Sequence, residues 1–242
     1  MENPFKPYYD EDGITIYHGD CRQVLPWIGE VDITFSSPPY NTIAATTPSG
    51  LIAESPRKFN AGYDGYSDDM PEDEYQEWMR DVFGLCRNKT RGLVWINHKT
   101  RYRGKRGIHP LAIFPWEFYS EVVWDRAGSV TLNARKFAPS HEYIYGFGKP
   151  HYWDSSLNTC LSVWRILPER DVKCHPCPFP IEIVSRCIVA SCPEEGTVLD
   201  PFVGSGTTLL AAKREGRSAV GIEINERYCE SAVNRLRQKV LF

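Results

Sequence analysis

The chain has 242 residues and a formal net charge of −3, with 42% hydrophobic and 24% charged residues. This is ordinary globular usage, and the length suits one sizeable α/β core. It excludes a basic nucleic-acid coat, so any polyanion must be met by a local cluster of positive charge.

The opening stretch MENPFKPYYDEDG is polar and acidic, with no signal peptide or membrane span. Most of the eight cysteines, such as Cys86, Cys187 and Cys229, sit in apolar segments and read as buried thiols. A reducing cytoplasm is the expected compartment. Cys174-x-x-Cys177, with Cys160 and His175 nearby, lacks a second Cys-x-x-Cys pair. It reads as a reduced loop with no metal, and a zinc site is the alternative.

Seven short apolar runs predict strands: 14–18, 32–37, 92–97, 121–125, 142–147, 197–202 and 219–224. Helical patterns lie between them. PEDEYQEWMRDVFGLCRN starts at Pro71 with acidic residues, FPIEIVSRCIVASC stops before Pro193 and Gly196, and TTLLAAKREG closes at Gly216. NERYCESAVNRLRQKV is a terminal helix with a basic end. The alternation predicts an α/β fold with a mostly parallel sheet. The connection between 121–125 and 142–147 is polar and irregular, so those strands are expected to pair antiparallel near one edge. Stretches 41–69 and 149–176 do not fit the sheet and read as lids or binding loops.

SSPPYN, Ser36 to Asn41, closes the second strand. Two prolines cannot continue a ladder, and they fix the corner. Near the other end, VLDPFVGSGTT (198–208) is a strand, a glycine turn and a helix start. Gly204 and Gly206 allow close approach of a ligand, and Thr207 and Thr208 are placed to cap the helix. Glu223 follows about 20 residues after the turn, the spacing of a carboxylate that grips ribose hydroxyls. No Lys follows Gly206, which argues against a mononucleotide P-loop. Leu209 stands where a dinucleotide turn needs its third glycine. A nucleoside without a pyrophosphate remains, with S-adenosylmethionine the obvious candidate and a ligand-free turn the alternative.

With both motifs, the chain resembles the beta group of DNA amino-methyltransferases, over nearly its whole length. SSPPY is similar to the family's catalytic motif, DPFVGSGTT to its cofactor motif, and HGDCRQVL (18–25) to the segment near the cofactor's adenine. HEYIYGFGK and HPCPFP also match family stretches. The catalytic motif comes first, the permuted order of that group. The resemblance implies a Rossmann-like seven-stranded methyltransferase sheet as one domain over 1–242. Loop 41–69 would lie on the catalytic side, and 149–176 would be a small target-recognition insert. It gives Ser37, Pro38, Pro39 and Tyr40 the catalytic role. Phe202, Gly204, Gly206, Thr207 and Thr208 take the cofactor turn, Glu223 the ribose, Asp20 the adenine amine, and Asp200 the methionine end.

An exocyclic base amine is a poor nucleophile because its lone pair is delocalised. Ser37 Oγ and the Pro38 carbonyl, held still by the prolines, would draw it toward a tetrahedral nitrogen, while Tyr40 stacks on a flipped-out base. In the family Ser-Pro-Pro-Tyr mostly accompanies cytosine N4, and Asp- or Asn-Pro-Pro-Tyr mostly adenine N6. Cytosine N4 is expected. Adenine N6, RNA and a protein amide are alternative acceptors, and a non-catalytic DNA-binding module is an alternative of another class. The expected partner is double-stranded DNA, with monomer and homodimer both open. Lys99, Arg101, Arg103, Lys105 and Arg106 form a basic segment, a candidate phosphate contact alongside Arg57 and Lys58 of the long loop. Trp153, Trp164 and Arg165 either contact bases or pin their loop to the core.

Overall fold

The computed structural model describes residues 3–41, 70–103, 106–128, 137–157, 159–168 and 179–238, with the Arg103 side chain outside that set. In chain order the elements are β1 (Tyr9–Glu11), β2 (Ile14–His18), α1 (Cys21–Val24), β3 (Ile33–Ser36), α2 (Glu72–Lys89) and β4 (Leu93–His98). Then come β5 (Arg101–Arg103), β6 (Arg106–Ile108), β7 (Phe118–Asp125), β8 (His141–Gly148) and β9 (Val163–Arg165). The chain continues through α3 (Ile181–Ser191), β10 (Thr197–Asp200), α4 (Thr207–Arg214), β11 (Ser218–Glu223) and α5 (Glu226–Arg237).

Nine strands form the main sheet, in the order β1-β2-β11-β10-β3-β4-β8-β7-β9. The seven predicted strands are its contiguous middle. The additions, β1 and β9, are three residues each, too short to carry a period in sequence. β9 lies in the stretch 149–176 and pairs in parallel with β7. β7 and β8 are antiparallel as expected, and β8 also runs antiparallel to β4. The basic segment after β4 is a second small sheet, the antiparallel pair β5–β6.

Alternation along the strands loads both faces. Ile33 and Phe35 with Leu93 and Trp95 belong to the core shared with α3, α4 and α5. Val94, Ile96, Leu199 and Ile222 join the core of α1 and α2, with Tyr75, Met79, Val82 and Phe83. Each fully buried large side chain there contributes about 1.5–3 kcal/mol. Among the described residues no helix is long and apolar enough to cross a membrane.

One feature of the topology positions the site. From β10 the chain passes through α4 to β11 on one side. From β3 it passes through α2 to β4 on the other. β10 and β3 are parallel neighbours, so the order reverses between them. In open α/β sheets the crevice beyond the strand ends at such a reversal is where ligands bind. Ser36 ends β3 and Asp200 ends β10, so the two motifs, 164 residues apart, meet there.

Candidate active site

The two strand ends are joined directly. Ser36 Oγ donates to Asp200 Oδ1 at 2.6 Å in the buried interior. Asp200 also accepts from the Phe202 amide at 3.0 Å. Burial pushes its carboxyl above the usual range, and these bonds pull the other way. Asp200 thus ties the proline corner to the glycine turn.

The turn itself is a backbone device. Gly204 and Gly206 have φ of 51° and 82°. A Cβ on Gly206 would lie 2.8 Å from the Ala232 Cβ of α5. Its lack of a side chain therefore serves helix packing first and ligand approach second. Thr207 and Thr208 do not cap α4 as expected. Gly206 holds the cap position, and both threonines are buried inside the first turn. Arg235 of α5 fastens the turn, donating to the Ser205 carbonyl, Ser205 Oγ and Thr207 Oγ1 at 2.8, 2.9 and 3.1 Å. Phe202 packs edge-on to Trp78 at 5.4 Å.

Glu223 is 8% exposed at the end of β11. Oε2 accepts from the Gly204 amide at 2.8 Å and Oε1 from the Asn225 amide at 2.9 Å. Burial raises its pKa, and the two amides oppose that. Each oxygen keeps a lone pair for another donor, so a fixed carboxylate facing a glycine turn fits a ribose diol. Asp20 caps α1 through the Arg22 amide and pairs with the Arg22 guanidinium at 2.9 Å. That hydrogen bond lowers its pKa.

At the corner, four oxygens from three segments converge. Ser37 Oγ and the Tyr40 hydroxyl are 2.9 Å apart. Asn97 Oδ1, at the end of β4, lies 3.2 Å from Ser37 Oγ and 2.9 Å from the Tyr40 hydroxyl. Glu142 Oε2, near the start of β8, is 3.1 Å from the same hydroxyl. Asn97 Nδ2 donates to the Tyr143 carbonyl, which fixes the amide so that its oxygen faces the cluster. Ser37 and Tyr40 bring two hydroxyl protons to four contacts. Asn97 Oδ1 and the Glu142 carboxylate bring only lone pairs. The cluster has surplus acceptors, which suits a ligand group that donates, such as an amine.

A second, buried layer holds the prolines. Tyr75 of α2 donates to the Pro39 carbonyl at 2.6 Å. With its proton spent there, the Tyr75 oxygen accepts from His98 Nε2 at 3.0 Å. His98 Nδ1 then accepts from the Lys99 amide at 2.9 Å. Burial lowers the His98 pKa to about 3, so the ring is neutral at neutral pH.

In the basic segment one expectation is corrected. Arg101 is not a free phosphate contact. Its side chain is 2% exposed, makes two 2.7 Å bonds to Glu72 and lies over the Tyr75 ring at 4.4 Å. Trp153 and Trp164 pack against the core, and Arg186 sits over the Trp164 ring. Arg165 remains open to solvent, 3.9 Å from Asp125. Lys99 Nζ lies 4.6 Å from the centre of the Tyr40 ring, covering the ring expected to meet the base. Arg106 is exposed. Arg57, Lys58, Lys105, Cys174, His175 and Cys177 lie outside the described residues. Among the described residues no cluster is placed to hold a metal. A groove of about 490 Å³ beside Phe114 and Phe118 opens at the opposite end of the sheet from the site.

Ser36, Tyr75, Asn97, His98 and Glu142 were not singled out in the sequence. The available signal was weak: GLVWINH is an apolar strand that ends in two polar residues, and polar groups buried at a strand end need partners.

Residues 31–234 match the family described as DNA methylase, of N6 and N4 methyltransferases. The chain belongs to this family. The type II methyltransferase M.ScaI of Streptomyces caespitosus is 29% identical, across 96% of this chain and 84% of its own length. M2.DpnII of Streptococcus pneumoniae is 28% identical, across 96% and 92%. The fold matches the PvuII DNA methyltransferase (cytosine-N4-specific) with a TM-score of 0.77 at 16% identity, covering 100% of this chain and 92% of that one. It also matches a Thermus thermophilus putative DNA modification methylase complexed with S-adenosyl-L-methionine, with a TM-score of 0.64 at 21% identity, covering 91% and 92%. This chain is therefore a DNA methyltransferase of the N6/N4 family.

Proposed function

We propose that this methylase transfers a methyl group from S-adenosylmethionine to the exocyclic N4 amine of cytosine in DNA, with the base flipped out of the duplex. The observation that carries the reading is the acceptor-rich cluster around Ser37 Oγ. Amine hydrogens drawn to such acceptors pull the nitrogen lone pair out of conjugation with the ring. The acceptors are preorganised, so little rearrangement is needed as charge develops. Pro38 and Pro39 stiffen the corner, and Tyr75 anchors it through the Pro39 carbonyl. The Pro38 carbonyl is the second acceptor, and the Tyr40 ring stacks on the base once Lys99 yields its place to it.

Glu223 holds the cofactor's ribose. Gly204, Gly206, Thr207 and Thr208 shape the turn around it, Phe202 and Asp200 close the methionine side, and Asp20 meets the adenine amine. When bound, S-adenosylmethionine supplies an electrophilic methyl group on a sulfonium. On the DNA side, Lys99 and Arg106 contact phosphates, joined by Arg103, Lys105, Arg57 and Lys58. The choice of cytosine rests on the hydroxyl residue at position 37, which in the family mostly accompanies cytosine. The type II relatives support a restriction–modification role.

The test is methyl transfer from labelled S-adenosylmethionine to duplex DNA, with Ser37→Ala and Tyr40→Ala as controls. Incorporation by the wild type that is lost in both variants is expected. Full activity of Tyr40→Ala would remove the stacking role.

A further inference from the structure

We propose that Glu142 is the final acceptor of the proton released by the amine, reached through Ser37 Oγ and the Tyr40 hydroxyl. This rests on the reading above that an amine is methylated at Ser37. As the new nitrogen–methyl bond forms and the methyl's bond to the sulfonium sulfur breaks, the nitrogen becomes cationic and one of its N–H bonds must break. Ser37 Oγ takes that proton and gives its own to the Tyr40 oxygen, 2.9 Å away. Tyr40 gives its proton to Glu142 Oε2, 3.1 Å away. The N–H bond is replaced by an O–H bond on Glu142, both hydroxyls are restored, and no further reactant is needed.

Three observations single out Glu142. Asn97 Oδ1 also touches both hydroxyls, but an amide oxygen is far too weak a base to keep a proton. Asp200 is bound to Ser36, the neighbouring residue, and to the Phe202 amide, so its described bonds do not enter the Ser37 cluster. Glu142 has a way out. Its second oxygen accepts from Arg126 Nη1 at 3.0 Å, and the Arg126 side chain is 36% exposed where that of Glu142 is 7% exposed. The charge of the carboxylate is balanced before the reaction, and the proton leaves along the Arg126 side afterward.

The groups around this path are Tyr40 and Arg126 in contact with Glu142, and Lys99 and His98 against the Tyr40 ring. Asp125 of the neighbouring β7 is engaged with the Ala127 amide and Arg165. Glu142 is therefore the carboxylate of this group that faces the relay.

The experiment is single-turnover methyl transfer to duplex DNA as a function of pH, with DNA affinity and melting temperature measured on the same proteins. Glu142→Gln keeps the size and a hydrogen-bonding oxygen but accepts no proton. It is expected to slow transfer about 100-fold, to abolish the decline of rate on the acid side, and to leave DNA affinity unchanged. Tyr40→Phe keeps the ring, cuts the relay, and is expected to lose the same acid limb. It decides the matter if Glu142→Gln melts early. A Glu142→Gln or Tyr40→Phe protein with the wild-type rate and acid limb overturns the relay while leaving the methyltransferase reading intact. A wild type that methylates no base amine overturns both.

Discussion

The glycine turn and the proline corner lie side by side at the reversal of the sheet, but they are built differently. The turn's own residues come from one continuous stretch, 198–223, shaped by two positive-φ glycines and a carboxylate held by amides, with Arg235 of α5 fastening it from outside. The corner draws side chains from residues 36–40, 75, 97–98 and 142, which only the fold assembles. A site made from backbone tolerates side-chain change where geometry is kept. A site made from side chains loses function one hydrogen bond at a time.

The largest expected effect falls on the corner. Ser37→Ala removes the central acceptor, and transfer at saturating DNA should drop about 100- to 1,000-fold, read in single turnover. S-adenosylmethionine binding, measured by calorimetry, should stay at the wild-type value, because the glycine turn does not include Ser37. A parallel loss of cofactor affinity would mean that the two regions are not separable.

Next comes the split within the basic segment. Arg101→Ala breaks a bidentate pair whose guanidinium is buried and should cost about 3 kcal/mol in chemical denaturation. Arg106→Ala should leave stability unchanged and reduce the slope of log affinity against log salt by about 1. Equal effects of both on the salt slope would return Arg101 to the DNA face.

Gly206→Ala tests the turn. The residue is left-handed, and its Cβ would press on Ala232, so a loss of about 1–3 kcal/mol is expected. Measured against Ala232→Gly alone, which carries its own cost of about 1 kcal/mol as a glycine inside α5, the double variant should lose less than Gly206→Ala loses in the wild type. Strictly additive losses would remove contact with the Ala232 Cβ as the reason for the glycine.

The effect that is smallest near neutral pH is a pH dependence. The His98 pKa is lowered by burial from 6.5 to about 3 in the folded protein. Below about pH 6.5 the unfolded chain takes up a proton that the folded chain refuses. This residue's contribution is thus intact above that pH and is lost as pH falls toward 3. The slope is about 1.4 kcal/mol per pH unit at most. His98→Gln should flatten the stability curve across that window relative to wild type. An unchanged slope would mean that the imidazole is not held neutral.

The same contrast explains what could be read from the sequence. DPFVGSGTT and Glu223 were legible because strand, turn, helix and carboxylate follow each other at fixed spacing. SPPY was legible because two prolines at a strand end have few other uses. Asn97, His98 and Glu142 were not, because their roles depend on β4 and β8 pairing in antiparallel register, which places His98 opposite Tyr143. Arg101 misled because a charge run in sequence does not reveal which cation turns inward to Glu72. The strands β1 and β9 escaped notice because three residues give no usable period. Ser36 looked idle until β3 and β10 became neighbours and its hydroxyl met Asp200.

The choice of base is tested most directly by mass spectrometry of nucleosides digested from DNA that the purified protein has methylated. N4-methyldeoxycytidine is the predicted product. N6-methyldeoxyadenosine alone would contradict the assignment of Ser37 to a cytosine amine.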